Sequence, residues 1–119
     1  MHGERIRQLL RRPANRHPSG ELIELDPAGG GFVDAGVVEI AMPVADAVSQ
    51  QHGYAHAGAL SAILDSACGY AALTLMRAGN EVVSAEFKVN LLTPAVGERI
   101  VACGRVIRPG RTLTVCSGE

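Results

Sequence analysis

The sequence predicts an α+β domain in which one long apolar helix lies against an antiparallel sheet. Three observations carry that prediction. Residues 50–76, "QQHGYAHAGALSAILDSACGYAALTLM", are rich in Ala and Leu. The run is too long for a buried strand, which predicts a helix over 57–78 ended by Gly79. The period then changes to two. In "VVSAEFKVNLL", Val83, Ala85, Phe87, Val89 and Leu91 fall on one face, with Ser84, Glu86, Lys88 and Asn90 on the other. Finally, the turn sequences "TPAVGE" and "RPGR" are short, so "RIVACGRVI" and "TLTVCSGE" follow as antiparallel neighbours.

Two further strands precede the helix. "ELIEL" (residues 21–25) alternates, and "DPAGGG" reads as a flexible turn. "AGVVEIAMP" places Val38, Ile40 and Met42 on one face and Val37 and Glu39 on the other, with Pro43 closing the strand. At the N-terminus, Ile6, Leu9 and Leu10 share one helical face ringed by Arg5, Arg7, Arg11 and Arg12, and Pro13 with "HPSG" ends that helix. Its apolar face is about one turn long, too little area for an interfacial membrane helix. The expected organisation is a basic helix and linker over 1–18, then a single domain over 19–119.

With 119 residues there is room for one domain. Charged residues are 19%, the formal net charge is -1 and aromatics are 3%, which argues against a nucleic-acid partner and a base-stacking surface. The first twenty residues lack the apolar core of a secretory signal. Cys68, Cys103 and Cys116 form no C-x-x-C, so buried reduced thiols in a cytoplasmic protein are expected. The central helix is long enough to span a bilayer, for which about 20 mostly apolar residues suffice. Its small residues, its central Asp65 and the half-polar strands after it favour a core helix instead.

Asp65 is the residue that needs explaining, because an ionised carboxylate amid apolar neighbours is costly unless paired, protonated or employed. Structural roles are open to it, as a partner of an Arg or a turn cap. It also belongs to a constellation with Gln50, His52, His56, Ala57 and Gly58 near the helix start. There, N–H groups lack intrahelical acceptors, and the helix dipole favours an oxygen gaining negative charge. Asp65 would supply a general base or a nucleophile. Ala57 and Asp65 are eight residues apart, about 12 Å along a helix, so one small substrate group cannot touch both within one chain. If both act on it, two antiparallel helices from a two-fold dimer must share the site. His52 and His56 with Asp65 could suggest a metal, but the small residues between them favour a loop, and no metal is expected. Cys68, three residues from Asp65, is a poor nucleophile beside a carboxylate.

Gln50, His56-Ala57-Gly58 and Leu64-Asp65-Ser66-Ala67 together resemble the hotdog-fold acyl-CoA thioesterases of the phenylacetate-pathway (PaaI-like) type. That family's pattern is Asn or Gln, then H-G-G, then L-x-D-x-A, and the similarity runs from about Val44 to the C-terminus. The resemblance implies a hotdog fold, a curved antiparallel sheet wrapped around the central helix. It also implies a homodimer that can pair into a homotetramer, and hydrolysis of an acyl- or aryl-CoA thioester with no cofactor. It implies Asp65 as base or nucleophile, the Ala57 N–H as the donor that polarises the carbonyl, and Gln50 as the group orienting carbonyl or water. His56 would shape the turn, and Ser84 would hold the water near Asp65. Gly58, Asn90, Arg108 and Arg111 would meet the substrate, the arginines at its nucleotide end. The family normally adds a strand beyond a stretch like "TVCSGE", so the expectation is either a C-terminal truncation with the last strand missing or a sheet completed some other way. A non-catalytic acyl-CoA-binding hotdog protein and a hotdog hydratase or dehydratase are the alternatives.

Overall fold

The computed structural model describes residues 5–11, 30–44 and 54–119. They form strands β1 (Arg5–Arg11), β2 (Gly30–Asp34) and β3 (Val37–Pro43), helix α1 (Ala57–Thr74), then β4 (Val83–Asn90), β5 (Arg99–Arg108) and β6 (Leu113–Gly118). One sheet contains all six strands in the order β2-β3-β5-β6-β1-β4, and every neighbouring pair is antiparallel. The helix packs on one face of this sheet, the α+β hotdog arrangement.

Helix and sheet meet through small residues. Leu60, Ile63, Leu64, Ala67, Cys68, Ala71 and Ala72 are buried. They recur in steps of three and four, so they form one stripe. Val38, Ile40, Ala102 and Cys116 complete the core from the sheet side. The closest approach is at Gly104 of β5. A Cβ there would come within 2.5 Å of the Ala67 carbonyl oxygen and the Cys68 nitrogen. Glycine at that position lets the helix backbone rest directly on the strand.

The helix is shorter than its composition suggests, ending at Thr74 rather than residue 78. The Thr74 hydroxyl donates to the Ala71 carbonyl (2.7 Å) and accepts from the Gly36 N–H (2.7 Å). That pair of bonds ties the last turn to the β2–β3 connection, where chain direction must change. Gly79 does adopt a positive φ of 97°, but in a separate turn closed by the Asn80 N–H on the Arg77 carbonyl (3.2 Å).

Two further expectations need correction. The N-terminal segment is not a helix, since residues 5–11 form β1. An isolated helix of that length is marginal, whereas a strand there gains backbone bonds on both sides, to β6 and to β4. Those residues are part of the sheet and not a separate appendage. Among the described residues the sheet is continuous from β6 through β1 to β4. Lastly, Gly30 and Gly31 of the expected "DPAGGG" turn lie in β2, and the reversal falls at Ala35-Gly36, where Gly36 takes φ 74°. The "ELIEL" stretch lies outside the described residues.

β4 departs from strict alternation. Its register with β1 runs Glu86↔Leu9 and then Ser84↔Leu10, so Ala85 is an extra residue, a β-bulge. A bulge reverses which face the following residues occupy. Ser84 and Val89, five positions apart, therefore both point towards the helix side: Ser84 bonds to α1 and Val89 packs on the core. Among the described residues no helix is long and apolar enough to cross a membrane.

Candidate active site

The N-terminus of α1 is built by His56. Its backbone is extended (φ -66°, ψ 135°) and it is the N-cap residue. The imidazole Nδ1 accepts the Gly58 N–H at 2.9 Å, and the His56 carbonyl accepts the N–H groups of Ala59 (2.9 Å) and Leu60 (3.1 Å). A ring that accepts at Nδ1 carries its hydrogen on Nε2 when neutral. His56 thus caps the first turn of the helix. Ala57, the next residue, is the first of the helix, where an N–H has no intrahelical acceptor.

A cleft of about 340 Å³ opens beside this helix end, lined by Tyr54, His56, Ala57 and Leu60 on one side and by Leu91, Leu92 and Pro94 on the other. The Ala55 N–H donates to the Ala95 carbonyl (3.0 Å), which fixes the two walls together. The wall that follows β4 was read from sequence only as strand end and turn. Its signal was present in the consecutive leucines, Leu91 and Leu92, which are 55% and 60% exposed and are more than a turn requires.

Asp65 lies elsewhere, half-buried at the border of the buried stripe in the middle of α1. Its Oδ1 accepts a 2.7 Å hydrogen bond from the Ser84 hydroxyl. The Ala85 bulge is what makes that bond available, because it turns Ser84 to the helix side. Strict alternation had put Ser84 on the face opposite Val89. The structure thus joins two of the expected site residues, Asp65 and Ser84, and separately joins His56, Ala57 and Gly58. About 12 Å of helix separates the two groups.

The remaining candidates are spread out. Asn90 ends β4, exposed, just before the cleft wall. Arg108 and Arg111 are exposed at the far end of α1: the Val106 N–H donates to Gly36 (2.8 Å), which is itself bonded to Thr74. Neither arginine is near the cleft of its own chain. Gln50 and His52 lie outside the described residues.

Cys68 is fully buried, and burial, with Cys116, Asp65 and Cys103 nearby, pushes its thiol up to about 12. Burial likewise pushes Cys116 up to about 11. The two thiols stay protonated at neutral pH and are out of reach of substrate, so they are packing groups. Cys116 donates weakly to the Cys68 carbonyl across the helix–sheet contact (3.6 Å). No group of three or more His, Cys, Asp or Glu among the described residues is arranged to hold a metal.

Among solved structures, the chain is similar to a thioesterase family protein from Silicibacter pomeroyi, with 39% identity, a TM-score of 0.68, and coverage of 76% of this chain and 79% of that one. A mutant of a hypothetical protein from Staphylococcus aureus matches at 26% identity and TM-score 0.62, covering 73% and 85%. The PaaI protein of the phenylacetic acid degradation operon of E. coli shares the fold at 19% identity and TM-score 0.62, covering 76% and 78%. No curated protein matches. The profile of the Thioesterase superfamily matches residues 52–119, a span that holds the helix, the cleft and the Asp65–Ser84 pair. The chain belongs to the Thioesterase superfamily.

Proposed function

We propose that the protein hydrolyses an acyl- or aryl-CoA thioester to the free acid and CoA, in sites shared between two subunits. The observation that carries this reading is the separation of the helix N-terminus from Asp65, each with its own supporting groups. Family membership supports the thioester chemistry. The exposed side of α1 supports the shared site: Gly58, Ala62 and Ser66 are small and exposed, so another helix can approach closely. β4 supports it as well, being the edge strand of the sheet among the described residues, with Val83 55% and Phe87 48% exposed. Such an edge is normally covered.

In the proposed dimer the two α1 helices run antiparallel, and each Asp65 reaches the other subunit's cleft. The Ala57 N–H, with Gln50, binds the thioester oxygen and stabilises the negative charge that develops on it. Asp65, oriented by Ser84, takes a proton from water as that water adds to the carbonyl carbon. Collapse of the tetrahedral adduct breaks the C–S bond, and the departing thiolate takes up the proton that Asp65 had accepted, which restores the carboxylate. Arg108 and Arg111 of the second subunit come to the cleft end under the same symmetry and meet the nucleotide end of CoA. Apart from that water, the reaction as proposed uses groups of the two chains, with the CoA ester as substrate.

The test is complementation. Asp65→Asn removes the base, and Ala57→Pro removes only the N–H, because proline is accepted at the first helical position. Each variant alone should lose about 10²-fold or more of thiol release. Co-refolded in equal amounts, they should recover about a quarter of wild-type activity, since half the dimers are mixed and each holds one intact site. Absence of recovery would place the whole site in one chain. Binding of CoA esters by the wild type without thiol release would instead make this a binding protein.

A further inference from the structure

We propose that β1, the strand formed by Arg5–Arg11, is a positioning element for the Asp65–Ser84 pair, although it lies outside the 52–119 span matched by the family profile. Three observations carry the inference. Among the described residues β4 has one strand neighbour in the sheet, β1. Among the described residues β1 carries the ladders that join β4 to β6 and the rest of the sheet. Seven of the eight residues of β4 are exposed and only Val89 is partly buried, so packing on the core does not hold it in register either.

The second observation is the position of the bulge. The irregularity falls between Leu9 and Leu10 of β1, opposite Glu86 and Ser84. A bulge is a property of a strand pair, because it is defined by two residues on one strand facing one on the other. The extra residue, Ala85, therefore exists as a bulge only while β1 is paired there.

The third observation is the consequence at Asp65. The bulge turns Ser84 towards α1, and the Ser84 hydroxyl then donates to Asp65 at 2.7 Å. Pairing of β1 beyond the irregularity, at Leu10↔Ser84 and Arg11↔Val83, clamps the residues that carry this hydroxyl. β1 touches no reacting atom under this reading; it acts through Ser84. The activity arm of the test rests on the thioesterase reading above, whereas the exchange arm does not.

The experiment uses the full chain. Gln8→Pro places a residue without an N–H in the middle of a strand paired on both sides. Hydrogen exchange followed by mass spectrometry should show at least a tenfold faster exchange in β4, with α1 and β2–β3 keeping their protection. Unchanged exchange in β4, or loss of protection throughout the chain, would overturn the proposal. A second variant, Arg7→Cys with Lys88→Cys, joins a register pair. It should form a disulfide within one chain and slow exchange in β4; a disulfide between chains would assign the strand to a second copy and overturn the intrachain reading. For thiol release, Gln8→Pro and Ser84→Ala should be non-additive, the double variant losing no more than the larger single loss. Additive losses would show that β1 does not act through Ser84. An inactive wild type would fail the function, while the exchange result would still decide the role of β1.

Discussion

The two halves of the sheet differ in how they meet the helix. In the β3–β5 half, Val38, Ala102 and Gly104 are buried and the helix backbone sits directly on a strand. In the β1–β4 half, β4 is mostly exposed and reaches α1 through the Ser84–Asp65 bond and the partly buried Val89. One half is a finished core. The other carries polar chemistry on an open surface, which is the arrangement expected of a half-site that a second subunit covers. Under the proposed function, stability and reactivity fall on different strands.

The largest expected effect breaks the finished half. Gly104→Val puts side-chain atoms into the Ala67–Cys68 backbone, and overpacking of that kind should cost about 3 kcal/mol or more. Urea denaturation should show it as a lowered midpoint. A variant that unfolds at the wild-type midpoint would mean that the helix does not rest on β5.

A smaller effect comes from pH. The Cys68 thiol is raised from 9.0 to about 12 in the fold, so above pH 9 the unfolded chain loses this proton while the native chain keeps it. Stability is full below pH 9 and falls as pH climbs towards 12, by about 1.4 kcal/mol per pH unit for one such group. Thermal unfolding should therefore show a Tm that is flat between pH 6 and 8 and declines above 9. Cys68→Ala should lessen that decline and leave the part that Cys116, raised to about 11, contributes; an unaltered decline would remove the Cys68 thiol as a cause.

The smallest effect sharpens the comparison along β6, which borders both halves. Thr114 is 1% exposed, and its hydroxyl oxygen has no partner among the described residues. Replacing it with Val keeps the shape and removes the unpaired polar atom, which should raise stability by about 1 kcal/mol. A loss of stability in chemical denaturation would reveal a partner for that hydroxyl.

The core half was legible in the sequence because its signals are local and periodic. The buried stripe of α1 and the alternation of β3 follow from spacing alone, and Pro109-Gly110 marked the β5–β6 turn. Asp65 stood out because a carboxylate in an apolar run has a cost. The misses share one cause, which is pairing between distant segments. Ile6, Leu9 and Leu10 have helical spacing, yet the backbone groups of β6 and β4 make that segment a strand. The end of α1 at Thr74 depends on Gly36, thirty-eight residues away in sequence. Ser84 was assigned its role only through family resemblance, because no reading of β4 by itself shows where an extra residue falls.

That extra residue changes how variation in this strand acts. Substituting a residue of β4 alters one side chain, but inserting or deleting one shifts the reading frame of the strand and moves a whole set of side chains to the opposite face. Ala85 already stands as such a one-residue frameshift between Val89, which serves the core, and Ser84, which serves Asp65. Changes in length at this point, more than changes in identity, are the route by which a domain of this shape can bring a different side chain to its carboxylate while the helix and the core stay as they are.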